Sequence, residues 1–425
     1  MSEDNARPSA IEATAPPGWR VDDEGRLWRE TIHSMTRRCL NWDYCGKGVY
    51  LITLVLNDRS RPLFGRVVCS AFSRSPGHSA MDGRARITAT GPAQPLTLED
   101  FADAKIELTE LGARVEAHAR RISEFSPEIE VVGVQMMGEH LHLVLRVTRR
   151  LAKPLGEYLR GFKIGATKIA RELGLCSRPS MGEHEAARGK GLFADGFVDT
   201  ILGDDEAVEK GVAYMFDNPR RYAIKRAYPD LFKVLGDVEV EYSPMDGRAR
   251  RGRFAAIGNR ALLTTPHILQ VQVSRRDFAY KRDAKGEIVR KTAMASEAFE
   301  AKAAALIAAA RHGAALVSPC ISEGEREIAR RAYDAGLKVI TLKNKGFSPL
   351  YKPGGRLFEQ CAAGNLLMLA PIAWPYLPGE KKITRMEACA LNRIAQLIAG
   401  RGAAEINYKG YDPGNIDKYV FEITK

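Results

Sequence analysis

The sequence lacks the features that announce a membrane, secreted or nucleotide-hydrolysing protein. Its longest apolar stretches, such as Leu366 to Ile372, fall far short of the roughly 20 residues that span a bilayer. Met1 to Pro17 is polar, acidic and rich in Pro and Ala. It has no basic start followed by an apolar core, so no signal peptide is expected there, and a disordered tail is expected over residues 1–27. No CxxC occurs, and the 7 cysteines are odd in number and widely spaced. That argues against a zinc ribbon or a disulfide framework, and a reducing cytoplasm fits best. GxGxxG and GxxxxGK[ST] are also absent, so a dinucleotide or ATP site of the common kind is not supported.

What is present is a long, basic chain. Its 425 residues exceed one average domain of roughly 150. The 64 Lys and Arg outnumber the 52 Asp and Glu, a net +12 that favours an anionic partner, nucleic acid first. A solvated basic surface on an ordinary enzyme would give the same balance. A hydrophobic fraction of 45% excludes a mostly disordered chain.

The first half reads as mixed α and β. Val49 to Leu56 (VYLITLVL), Ile129 to Val134 and Glu139 to Val147 read as strands. Ser73 to Gln94 reads as a loop insertion, Leu98 to Phe125 as helix, Pro154 to Leu173 as an amphipathic helix, and Leu175 to Lys190 as loop. Asp205 to Asp217 reads as a helix ended at Asn218-Pro219, because proline restricts the residue before it. Residues 236–265, with Arg248, Arg250, Arg251 and Arg253 among glycines, read as a basic linker. Met-Asp-Gly-Arg-Ala-Arg occurs at Met81–Arg86 and again at Met245–Arg250, each time in loop-like context. From residue 266 helices alternate with strands at Ala314–Ser318, Leu337–Leu342 and Asn365–Ala370, with a further short strand expected at Ala404–Ile406. That rhythm predicts a parallel α/β sheet.

Chemistry concentrates in His140-Leu141-His142. On a strand, positions i and i+2 project from one face, so the two imidazoles point together while Leu141 turns inward. The pair is a compact metal site or simply two surface histidines. Downstream, Tyr214 and Asn218 are four residues apart and share a helix face. A tyrosine hydroxyl can act as nucleophile, but it ordinarily ionises near pH ~10 and needs a Lewis acid to help. An amide oxygen can complete a two-histidine metal site. The plainer alternative is an aromatic at the core edge and a helix-end residue before proline.

The order of these segments resembles the single-tyrosine HUH transposases, most closely their REP-associated tyrosine transposase branch. The resemblance rests on Val49–Phe64, Val131–Val147, Pro154–Gly174, Leu192–Leu202 and Val212–Tyr222, over roughly residues 45–232. It implies an α+β chain: a ferredoxin-like HUH domain over 28–235, an antiparallel sheet with helices on one side. It implies a DNA endonuclease that serves DNA transposition and recombination, acting on single-stranded, hairpin-bearing DNA with magnesium or manganese. Carried over by position, His140, His142 and Asn218 would be metal ligands. Tyr214 would attack the scissile phosphate, forming a 5′-phosphotyrosine bond and freeing a 3′-hydroxyl. Lys163 and Lys168 fall where the family places basic residues near DNA, and Arg160, Arg171, Arg220 and Arg221 add local charge. Tyr158, Phe162 and Phe197 could stack on bases or belong to the core. One departure is Glu139, where the family usually has asparagine; strand alternation puts it on the face opposite His140.

Residues 312–400 resemble, more faintly, the Rossmann-like domain of DNA-processing protein A, through Ala314–Gly346, Tyr351–Leu369 and Leu391–Ile394. An α/β Rossmann-like domain over 266–425 is therefore expected, with Ser318 and Ser322 opening a helix whose N-terminus would attract an anion. The expected protein is a monomer or homodimer with no membrane association. The alternative is a non-catalytic protein that binds single-stranded DNA or a nucleotide through this second domain.

Overall fold

A computed structural model describes residues 19–21, 27–29, 42–73, 97–176, 191–242, 250–274, 276–284, 288–348, 351–379, 381–400 and 412–425. The loop insertion at Ser73–Gln94 (beyond Ser73 itself), most of the Leu175–Lys190 loop, both copies of the repeated hexapeptide apart from the Arg250 backbone, Arg248 and the strand expected at Ala404–Ile406 lie outside these residues. Two compact units divide the chain, the first comprising Met1–Ala93 and Glu99–Ala223, the second Ile224–Lys425 together with the short stretch Gln94–Leu98.

In the first unit, β1 (Trp19–Val21) and β2 (Leu27–Arg29) pair antiparallel, so part of the expected tail is ordered backbone. β3 (Gly48–Val55) is followed by β4 (Gly65–Val68) and a one-turn α1 (Ser70–Ser73). The single helix expected over Leu98–Phe125 is instead a 3-10 turn, a strand and two helices: β5 (Lys105–Leu108), α2 (Glu110–Arg120) and α3 (Ile122–Phe125). Lys-Ile-Glu-Leu alternates with period two and pairs with β4. Thr109 then starts the helix, its Oγ1 accepting from the Gly112 N–H at 3.1 Å. β6 (Ile129–Met136), β7 (His140–Val147), α4 (Leu155–Glu172), β8 (Val198–Leu202), α5 (Asp205–Phe216) and α6 (Asn218–Ala227) complete this part.

The sheet order is β6-β7-β3-β8, all antiparallel. The central strands alternate strictly. Leu141, Leu143 and Leu145 of β7 join Tyr50, Ile52 and Leu54 of β3 in a core closed by α2 and α4. α4 contributes Leu155, Leu159, Phe162, Ala166 and Ala170, a helical stripe on one face. Phe162 is thus core, with Tyr158 and Phe197 packed against it as partly buried neighbours. α5 packs on β6, β7 and β8.

In the second unit, residues 236–265 are not a linker. β9 (Leu235–Tyr242) and β10 (Arg250–Gly258) are adjacent antiparallel strands. Val238, Val240 and Tyr242 are buried, while Asp237 and Glu239 face out to meet Arg253 and Arg251 at 2.8 and 3.1 Å. Arg251 and Arg253, two of the arginines that suggested a basic connection, are therefore answered by acids on the neighbouring strand. β11 (Ile268–Gln270), β12 (Phe278–Arg282), β13 (Ile288–Ala295), α7 (Glu297–Arg311), β14 (Ala315–Ser318), α8 (Glu323–Asp334), β15 (Val339–Leu342), α9 (Arg356–Ala362), β16 (Leu366–Pro371), α10 (Arg385–Ala399) and α11 (Pro413–Ile423) follow. β11, β14, β15 and β16 are parallel neighbours, as expected, but β10 and β9 extend the sheet antiparallel. β12 and β13 form a separate hairpin. No described helix is long and apolar enough to cross a membrane.

Candidate functional site

Because Leu141, Leu143 and Leu145 are committed to the core, His140, His142 and Val144 must face the other way. α5 covers that same face. Gly133 pairs with Val144, and a Cβ at Gly133 would lie 2.6 Å from Cε of the fully buried Met215. The helix carrying Tyr214 thus rests on the strand face carrying the histidines. Gly133→Val is expected to push α5 off its seat. It should cost about 1–3 kcal/mol of stability and, by misplacing groups by about an ångström, on the order of 100-fold in any reaction that joins Tyr214 to the histidines. Unfolding curves and rates on Gly133→Val, with Met215→Ala added to restore room, check this.

The imidazoles converge. His140 Nε2 and His142 Nε2 are 3.2 Å apart, the rings nearly perpendicular at 82°. The other nitrogens are occupied: His142 Nδ1 lies 2.8 Å from Thr53 Oγ1, directly opposite on β3, and His140 Nδ1 lies 3.3 Å from Glu139 Oε1. Glu139 precedes the strand, so alternation does not bind it. Contrary to expectation its carboxylate turns back to His140. The hydrogen bond from His140 holds that carboxyl below its usual range. Burial, reinforced by His140, drives His142 down to about 3. His142 is therefore a neutral ligand-type imidazole at ordinary pH.

The donor set fits a metal ion. Two nitrogens at about 2.1 Å from one ion stand roughly 3.0–3.4 Å apart. An acceptor-only carboxylate fixes the proton of His140 on Nδ1, and when Thr53 accepts from His142 Nδ1, both Nε2 lone pairs face one point. Such outer partners orient metal-binding imidazoles generally. Two imidazoles suit a first-row divalent ion better than the harder magnesium. No group of three or more His, Cys, Asp or Glu side chains gathers as a ligand set among the described residues. Among the described residues a further donor to such an ion would be an amide, with water or a substrate as the other sources.

Tyr214 is 45% exposed, and the guanidinium of the buried Arg221 lies 5.3 Å from its ring centroid. Asp217 holds Arg220 at 2.7 Å and Arg221 at 3.8 Å. Asn218 opens α6, and its Nδ2 donates to the carbonyls of Tyr214 and Met215 at 3.0 and 3.2 Å. It closes the end of α5 with its amide nitrogen.

Several expected DNA contacts are otherwise engaged. Lys163 donates to the carbonyls of Ala194 (2.6 Å) and Gly196, tying α4 to the segment before β8, so it is a structural lysine. Arg160 pairs with Glu157 at 3.6 Å, and Arg220 and Arg221 serve Asp217. Lys168 is exposed on α4. Arg171 is half-buried, with Nε lacking a partner. The anion site at Ser318 and Ser322 is already filled. Ser322 Oγ caps Glu325 N, and the buried Glu325 carboxylate takes the N–H groups of Ile321 (2.8 Å) and Ser322 (3.3 Å). Ser318 Oγ accepts from Cys320 N. The chain's own carboxylate occupies the place an anion would take.

Thr53 and the turned-back Glu139 escaped sequence reasoning. The one available signal for Thr53 was an aliphatic hydroxyl amid the apolar run of β3.

No protein-family model and no curated protein matches the chain. Among solved structures, DNA processing protein A from Helicobacter pylori, described for its unique single-stranded DNA binding mode, is similar to part of it. Identity is 17% and the TM-score 0.24, over 37% of this chain and 63% of that one, so the match spans under two thirds of that protein.

Proposed function

We propose that this protein is a metal-dependent enzyme that nicks and rejoins single-stranded, hairpin-bearing DNA, as the HUH transposases do, with Tyr214 as nucleophile. The observation that carries the reading is the convergence of His140 Nε2 and His142 Nε2, 3.2 Å apart, on the sheet face where the Tyr214 helix packs. The strand–helix–strand–strand–helix–strand order of β3, α2, β6, β7, α4 and β8, with sheet order β6-β7-β3-β8, supports a ferredoxin-like domain. Four parallel neighbours in the second sheet support a Rossmann-like reading there.

His140 and His142 would hold a divalent ion, with Asn218 as the candidate third donor. Bound there, the ion would supply Lewis-acid polarisation of the scissile phosphate. Tyr214 Oη would form a bond to phosphorus as the bond from phosphorus to the 3′ oxygen breaks. The phenolic proton ends on the departing 3′-hydroxyl. The phosphotyrosine ester conserves the bond energy, so rejoining needs no ATP. Arg221 over the ring holds the tyrosine and favours negative charge developing on it.

The test is incubation with a hairpin-bearing single-stranded oligonucleotide and Mn²⁺ or Mg²⁺. A covalent protein–DNA adduct that needs the metal is the expected result. Binding with no adduct under either metal supports the alternative of a non-catalytic DNA-binding protein.

A further inference from the structure

The displaced basic residues leave open where a strand would be gripped. The loop between β3 and β4 answers this. It leaves β3 just after Val55, the residue paired with His140. Leu56 N–H donates to the Glu139 carbonyl at 2.9 Å, and Phe64 N–H donates to the Gly138 carbonyl at 3.1 Å. A Cβ at Gly138 would meet Pro62 at 2.9 Å, so the loop lies tightly against the hairpin that presents His140. Inside it, Asp58 accepts from the N–H and hydroxyl of Ser60 at 3.0 and 2.6 Å, which fixes the turn.

Arg59 and Arg61 project from this turn, both exposed. Arg59 bears electrostatically on Glu139, and Arg61 on Asp58. Arg61 and Arg171 both bear electrostatically on the Cys176 thiol, so both guanidiniums lie within reach of that one group. Among the described residues neither Arg59 nor Arg61 makes an ion pair or guanidinium hydrogen bond, and the buried Nε of Arg171 has none. Elsewhere in the unit arginines are answered by carboxylates, as in Arg66–Glu107, Arg114–Glu172, Arg146–Glu130 and Arg150–Asp43. Guanidiniums not tied up in an ion pair beside a candidate phosphodiester site suit a polyanion.

We propose that Arg59 and Arg61, with Arg171 behind them, form a phosphate-gripping rim over which a DNA strand reaches the His140–His142 site. The inference rests on the reading of that site as a DNA-processing centre. Phosphate contacts of this kind set position and affinity without reading sequence.

The test uses the full chain and the same oligonucleotide, with binding measured by fluorescence anisotropy across a salt series. Each phosphate contact on a single strand contributes roughly 0.7 to the slope of log K against log salt. Arg59→Gln and Arg61→Gln should each flatten the slope by that amount, and the double variant by about twice it. Arg66→Gln, whose partner is Glu107, should leave it unchanged. Adduct yield in Arg66→Gln should also stay near wild type. An unaltered slope in the double variant overturns the rim alone if the wild type forms adduct. Wild-type binding with the predicted flattening but no adduct overturns the enzymatic reading and leaves the rim. A wild type without affinity for the strand overturns both.

Discussion

Tyr214→Phe will abolish covalent capture of DNA while leaving strand binding within a few-fold of wild type. The change removes one oxygen from a ring that is 45% exposed, so little packing is at stake. The ring keeps its place under the Arg221 guanidinium, because the π face survives the loss of the hydroxyl. What disappears is the atom that would bond to phosphorus. Loss of a nucleophile commonly costs on the order of 10⁴-fold or more, down to whatever binding and electrostatics alone supply. Denaturing gels of a labelled hairpin oligonucleotide read the result. Persistence of the adduct in the variant would remove Tyr214 from the chemistry and point to another nucleophile.

The second large effect is expected at His142. With Nδ1 against Thr53 Oγ1 and Nε2 facing His140, it is a poor place for a positive charge. Burial holds its pKa at about 3, against about 6.5 when unfolded. The unfolded chain therefore takes up a proton below pH ~6.5 that the folded chain refuses. The stability conferred by neutral His142 is complete above that pH and drains away as pH falls toward the folded value. The slope approaches about 1.4 kcal/mol per pH unit. Denaturant unfolding in chelator from neutral pH to pH ~4 should show this slope in the wild type and lose it in His142→Gln. The same variant should lose the stabilisation that Mn²⁺ gives the wild type. Thr53→Val, which removes only the hydrogen-bond partner, should weaken the ion by roughly 10–100-fold. A His142→Gln chain that still gains stability from Mn²⁺ would remove the histidine pair as the ion's site.

Both effects were traceable in the chain itself, but unequally. The HLH alternation follows from backbone periodicity, so the strand face could be read directly, whereas Tyr214 and Asn218 fall on two helices, α5 ending at Phe216 and α6 opening at Asn218. Three other outcomes could not be read directly. Glu139 sits just before the first strand residue, where alternation ceases to govern direction. The Arg251 and Arg253 segment looked like a solvated basic stretch because its acidic partners lie on a neighbouring strand. The Ser322 helix terminus reads as open to anions on its serines alone; only the Ser-x-x-Glu spacing of a capping box hints that Glu325 folds back into it.

The sequence by itself determined the periodic elements, the inward leucines of β7 and the two histidines beside them. These depend on spacing along one chain. Only the tertiary structure decided which charges remain available. Lys163 and Arg160 read as DNA contacts in the sequence, yet they are engaged by carbonyls and a carboxylate, while Arg59 and Arg61, on the loop that packs against the His140 hairpin, make no ion pair among the described residues. A charge is neutralised or left exposed by what folds next to it, and that is a property of three-dimensional neighbours.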